Sequence, residues 1–135
     1  MPGPRQIVLV DDDRDFLDMN ASIFAARGWS VRAFAGPREA LAAIRAGGRE
    51  GRPSLVVTDL MMSSLDSGFS LARELRGDPL FADVPIIIVS AVASQKGFDF
   101  RPRTQADLAA MHADAFFDKP VDPAALLARV AELVR

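Results

Sequence analysis

Cysteine is absent from the chain, which excludes a disulfide framework, a thiolate metal site and a cysteine nucleophile. Long hydrophobic runs are missing too. MPGPRQ at the start has no apolar stretch, and IVLV after it is far too short for a signal peptide or a membrane span. Neither sign of charge dominates: 16 Lys and Arg stand against 18 Asp and Glu, a formal net charge of −2. A pI near 5.3 gives no general attraction to nucleic acid or anionic lipid. Histidine occurs once, as His112, and reads as a helix-end residue rather than a ligand or a phosphohistidine. No internal repeat, low-complexity segment or interdomain linker breaks the sequence. What is there is 135 residues, half hydrophobic and a quarter charged, the size and composition of one globular domain. Residues 1–135 are therefore expected to form a single domain, soluble and cytoplasmic.

Short apolar runs alternate with helical patterns. QIVLV (6–10) reads as a first strand, followed by a helix carrying Phe16, Leu17, Met19, Ile23 and Phe24 that ends near Gly28. WSVRAF (29–34) is a weaker second strand, and Pro37 opens a helix that Gly47-Gly48 closes. SLVVT (54–58) is a third strand, and Phe69, Leu71, Ala72 and Leu75 mark the next helix. VPIIIVS (84–90) and AFF (115–117) complete the strands. Asp122-Pro123 caps and opens a last helix with Leu126, Leu127, Val130 and Val134 on one face. Strands alternating with helices indicate βαβ units and a parallel sheet, and uniformly apolar strands indicate helices on both faces. With right-handed crossovers the expectation is an α/β doubly wound (βα)5 domain.

Ligands of such sheets bind beyond the carboxyl ends of the strands. Strand one ends in Asp11 and Asp12, strand three in Asp59, strand four in Ser90, and strand five runs into Lys119-Pro120. Three carboxylates, a hydroxyl and an ammonium thus converge on one edge from distant segments. Carboxylates with carbonyl and water oxygens are hard ligands that suit Mg²⁺, with Mn²⁺ an alternative. An aspartate beside such an ion can attack a phosphoryl group and carry it. The metal and Lys119 would then face the phosphoryl oxygens, and Ser90 could donate to one of them. Asp13 and Asp15 fit the N-terminal end of the first helix instead.

In IVLVDDDRDF, SLVVTDLMM, VPIIIVSA and ADAFFDKPVD, in that order and spacing, the chain resembles the receiver domain of two-component response regulators over nearly its whole length. The resemblance implies a flavodoxin-like three-layer sandwich with strand order 2-1-3-4-5. It implies Asp59 as phosphoacceptor, with Mg²⁺ held by Asp12, Asp59 and the Met61 carbonyl, and Asp11 acting largely through water. Ser90 and Lys119 would hold the phosphoryl oxygens, across a cis Lys119-Pro120 bond. Phe116 falls at the family's switch aromatic, which turns inward as the hydroxyl residue moves, altering the face of the fourth helix, fifth strand and fifth helix. Phe116 and Phe117 are adjacent, so one faces each side of the strand, and plain core packing is the competing role for Phe116. The implied partners are a histidine kinase or phosphotransfer protein and a downstream effector. The implied assembly is a monomer or a phosphorylation-dependent dimer. The implied activity is self-phosphorylation with slow dephosphorylation rather than metabolic catalysis.

Two stretches depart from the family pattern. In DLMMSSLDSGFSL, Ser63 replaces a proline and one extra residue precedes Gly68, so the metal geometry at the Met61 carbonyl is less constrained; the Met61 side chain is also expected to limit water access. Between Ser90 and Lys119 an insertion at 93–105 reads as an extended surface loop, or as a flap built on Phe98 and Phe100. It leaves a short fourth helix, Thr104 to Met111. The competing function is a pseudo-receiver, the same fold used as a phosphate-independent interaction module. A Mg²⁺-dependent phosphatase or a flavin-binding domain is more distant, since there is no second general acid beside Asp59 and no Gly-rich loop after strand one.

Overall fold

The computed structural model describes residues 5–59, 67–90 and 112–134, with the side chains of 67–69 excepted. Its elements are β1 (Gln6–Val10), α1 (Arg14–Ala25), β2 (Ser30–Phe34), α2 (Pro37–Gly47), β3 (Leu55–Asp59), α3 (Ser67–Arg76), β4 (Ile86–Ser90), β5 (Ala115–Asp118) and a C-terminal helix (Pro123–Leu133). All strand pairs are parallel, in the order β2-β1-β3-β4-β5. This is the doubly wound α/β sheet that the alternation and the resemblance lead one to expect. β1 has the limits expected of it, and the other strands differ from theirs by one or two residues at one end or both. Trp29 lies outside β2 and packs edge-on against Phe24, with ring centroids 5.6 Å apart. Asp59 and Asp118 are themselves the last residues of their strands. The short fourth helix, the 93–105 insertion with Phe98 and Phe100, and the loop of Met61 and Ser63 lie outside the described residues.

β1, β3 and β4 bury both faces because alternate residues enter two separate cores. Val8, Val10, Val56, Ile86 and Ile88 pack with Ala40, Ile44, Leu71 and Leu75 from α2 and α3. Ile7, Leu9, Leu55, Val57, Ile87 and Val89 pack with Phe16, Leu17 and Phe24 of α1 and Leu126 and Val130 of the C-terminal helix. Each such aliphatic side chain contributes about 1.5–3 kcal/mol on leaving water. Phe116 packs against the first core and Phe117 against the second.

Local signals set the helix ends. Asp13 caps α1 by accepting the Phe16 N–H at 3.3 Å. At its far end Gly28, with φ +88°, donates to the Ala25 carbonyl, while the Trp29 N–H reaches the Phe24 carbonyl. That pair of bonds closes a helix through a left-handed glycine. Away from the strand ends that carry the acidic residues, Arg76 ties three segments together. Its guanidinium donates to the carbonyls of Ala82 (2.9 Å) and Val84 (2.8 Å) and to Asp114 Oδ2 (2.5 Å). Asp114 Oδ2 also accepts the Ile86 N–H at 2.9 Å. The clamp fixes the entries to β4 and β5 side by side.

Candidate functional site

Sheet register brings the polar residues together. Val10 pairs with Thr58, so Asp11 and Asp59 are the next residues of neighbouring strands. Ser90 pairs with Asp118, and the Lys119 N–H donates to the Ser90 carbonyl at 2.9 Å. Asp11 stays tethered to the sheet because its N–H donates to the Phe34 carbonyl at 3.1 Å. The Lys119-Pro120 bond is cis.

Pleat parity separates the three aspartates that are adjacent in sequence. Asp11 continues the inward row of Ile7 and Leu9 and is completely buried. Asp12 points the other way and is exposed. It reaches an open groove of about 860 Å³ lined also by Pro37, Arg38, Leu71 and Arg73. Asp13 turns back as the α1 cap and gives its own N–H to Asp11 Oδ1 at 2.9 Å. Asp59, from β3, is 7 % exposed. One carboxylate oxygen from each of Asp11, Asp12 and Asp59 lies within 4.8 Å of the others. A set of hard oxygen donors at that spacing suits a small divalent cation such as Mg²⁺.

Lys119 completes the cluster. Its Nζ lies 2.6 Å from Asp11 Oδ2 and 3.6 Å from Asp59 Oδ2, with the Phe16 ring 4.6 Å away on a third side. The carboxylates are therefore not held under bare repulsion without a metal: the chain supplies one cation itself. Burial pushes the Asp11 carboxyl above its ordinary value, against the lowering effects of the Lys119 hydrogen bond and the Asp13 N–H. For Lys119, burial alone lowers the ammonium's pKa, but the hydrogen bond to Asp11 and the attraction of Asp11, Asp59 and Asp13 outweigh it, and the net shift is upward.

These directions have opposite consequences at neutral pH. A raised lysine stabilises the fold below its ordinary value, and that contribution is lost as pH climbs through the raised one. A raised aspartate favours the fold only while protonated, so at neutral pH the ionised Asp11 is a cost that Lys119 offsets. The melting temperature is therefore expected to fall once pH passes the ordinary lysine value of about 10.4. The chain has no tyrosine or cysteine, and Lys96 is its only other lysine, so few other groups titrate there. A thermal melt series in alkaline buffers checks this; a flat profile through that range would remove the stabilising role of the pair.

Five of the expected site residues share this edge: Asp11, Asp12, Asp59, Ser90 and Lys119. Ser90 is buried at the end of β4. Phe116 lies three residues before Lys119, its ring only partly buried against the α2–α3 core. Met61 lies outside the described residues. Phe16 is the residue that sequence reasoning passed over, because its helical spacing marks it simply as core.

Comparison with known proteins bears on this arrangement. The family described as response regulator receiver domain matches residues 7–131. The transcriptional regulatory protein GltR of Pseudomonas aeruginosa is 32% identical over 138 residues, covering 97% of this chain and 49% of GltR. The DNA-binding response regulator MtrA of Mycobacterium tuberculosis is 30% identical over 131 residues, covering 97% of this chain and 51% of MtrA. The chain thus spans about half the length of these curated relatives. A crystal structure of a CheY-like response regulator receiver domain protein from Methanospirillum hungatei superposes with a TM-score of 0.77 at 25% identity, covering 98% of this chain and 94% of the other. No helix among the described residues is long and apolar enough to cross a membrane.

Proposed function

The chain belongs to the response regulator receiver domain family, and from that premise we propose that it is a phosphorylation-controlled switch of two-component signalling with Asp59 as the acceptor. The observation that carries this reading is the convergence of three carboxylates within 4.8 Å, with the Lys119 ammonium 3.6 Å from Asp59 Oδ2. Residues 1–135 act as one receiver domain, phosphorylated in the cytoplasm by a histidine kinase or phosphotransfer protein. The output passes to an effector domain or protein.

An Asp59 carboxylate oxygen attacks the phosphorus of a phosphohistidine. The new P–O bond forms as the P–N bond breaks, and the imidazole leaves with the P–N electron pair. Asp12 and Asp59, with Asp11 acting through water and the Met61 carbonyl as the family resemblance implies, would hold Mg²⁺, which would supply neutralising charge at the phosphoryl oxygens. Lys119 needs only a short movement from Asp59 Oδ2 to face the same oxygens, and the Ser90 hydroxyl donates to one of them. Ser90 and Phe116 form the switch, since they lie on paired strands and the Phe116 ring is not sealed in the core. Its effect falls on the face around β5 and the C-terminal helix.

Incubation with Mg²⁺ and acetyl phosphate, followed by intact mass measurement, tests the function. A hydroxylamine-labile phosphoryl adduct is expected. A chain that takes up no phosphoryl group would be a pseudo-receiver instead, and steady turnover of general phosphomonoesters would make it a phosphatase.

Metal binding has its own expected result. Binding that is specific to the native state stabilises by about 2.7 kcal/mol when Mg²⁺ is at a hundredfold excess over its Kd. Several degrees of added melting temperature should therefore accompany millimolar Mg²⁺. Asp12→Asn should erase most of that shift while leaving the metal-free melt near wild type, because Asp12 is exposed. Calcium- and magnesium-insensitive melts in the wild type would argue that the carboxylates hold no divalent ion.

A further inference from the structure

Phe16 touches the centre of the site without belonging to the set that reacts. The Lys119 ammonium lies 4.6 Å from its ring centroid. The backbone that carries the ring is held on both sides. Asp13 accepts the Phe16 N–H, and the buried Asn20 donates its amide to the Phe16 carbonyl at 2.9 Å. Asp13 in turn gives its N–H to Asp11 Oδ1 at 2.9 Å. Residues 11–16 are thus a cross-tied unit that holds one carboxylate and one ring face in a set relation to the ammonium.

The chemistry of the ring differs from that of the carboxylate. An ammonium carries three N–H donors. A second carboxylate in this place would claim one strongly and compete with any phosphoryl oxygen arriving at Asp59. A ring face attracts the cation through its quadrupole and offers no strong directional acceptor. Volume alone would be met by leucine. We propose that Phe16 is a positioning residue for Lys119: its ring face keeps the ammonium between Asp11 and Asp59 with donors left over for the phosphoryl group. This rests on Asp59 being the phosphoacceptor.

The test compares wild type, Phe16→Leu and Phe16→Tyr, each with Lys119 present and with Lys119→Met, by the rate of phosphorylation with acetyl phosphate and Mg²⁺. Phe16→Leu should slow the reaction about three- to tenfold, and Phe16→Tyr, which keeps the ring, should restore most of it. In the Lys119→Met background Phe16→Leu should change the remaining rate little, because the residue it acts through is gone. Proton NMR gives a second readout. With only two lysines in the chain, the Lys119 ε-methylene signal is assignable, and it should lose an upfield ring-current shift in Phe16→Leu. Equal slowing in both backgrounds, no slowing with Phe16→Leu, failure of Phe16→Tyr to restore the rate, or an unmoved ε-methylene signal would each overturn the assignment. Failure of the underlying functional reading is distinguishable, because the wild type itself would then take up no phosphoryl group.

Discussion

Asp59→Asn is expected to abolish the labile phosphoryl adduct while leaving the protein folded. A neutral amide lacks the nucleophilic carboxylate oxygen that would form the acyl phosphate, so the loss should be complete rather than partial. The fold should tolerate the change for reasons visible in the site. Asp59 holds its strand through backbone pairing with β4, and the hydroxyl of Thr58 donates to its carbonyl, not to its carboxylate. The substitution also removes one of three carboxylates crowded within 4.8 Å, which lessens repulsion while Lys119 keeps Asp11 as its nearest partner. Intact mass after acetyl phosphate treatment, beside a thermal melt, separates the two effects. An adduct that persists in a folded Asp59→Asn protein would move the acceptor to another residue.

Lys119→Met should be costly in two independent ways. Asp11 is completely buried, and removing the cation beside it leaves a buried charge whose remaining hydrogen-bond partner among the described residues is the Asp13 N–H. Breaking a buried pair from one side costs roughly 3–5 kcal/mol. Asp11 can relieve that cost by taking up a proton, and its pKa is already displaced in that direction. A raised carboxyl favours the fold at low pH, so the destabilisation should be largest near neutrality and shrink toward acid. Phosphorylation should fall separately by about 10²–10³-fold, the usual effect of deleting one preorganised group from a site of developing charge. The double variant Asp11→Asn/Lys119→Met divides these effects. It removes the completely buried Asp11 charge together with its cation, so much of the stability should return, whereas the phosphorylation rate should not. Denaturant unfolding across pH and the phosphorylation assay together decide. A Lys119→Met protein as stable as wild type at every pH would mean the pair carries no stability.

The fold was legible because every strand but β2 is a short apolar run closed by a polar residue, and α1, α2 and the C-terminal helix carry their own end signals. Asp13, Gly28, Pro37 and Asp122 all act in the structure where their chemistry places them. The site was legible for a related reason: in a parallel sheet, residues that follow the strands must share an edge. The sequence order Asp11-Asp12-Asp13 could not reveal how pleat parity divides the three, burying one, exposing the next and turning the third into a cap. Nor could it disclose that Lys119 pairs with Asp11. That contact joins residues 108 positions apart, and charge alone would equally have allowed Asp12 or Asp59. Phe16 was hidden for a different reason, since one apolar residue on a helix face looks like any other until its neighbours are known.

The strands β4 and β5 are pinned at both ends: by Arg76, Asp114 and Ile86 where they begin, and by the Ser90 carbonyl and Lys119 N–H where β5 leaves the sheet. In engineering terms, the end of β4 at Ser90 and the entry to β5 at Asp114 are two fixed ports. The register of β4 and β5 is thus written by bonds among residues on either side of those ports. A change of sequence between those ports should therefore leave the pairing of the two strands, and the residues at the sheet edge, where they are.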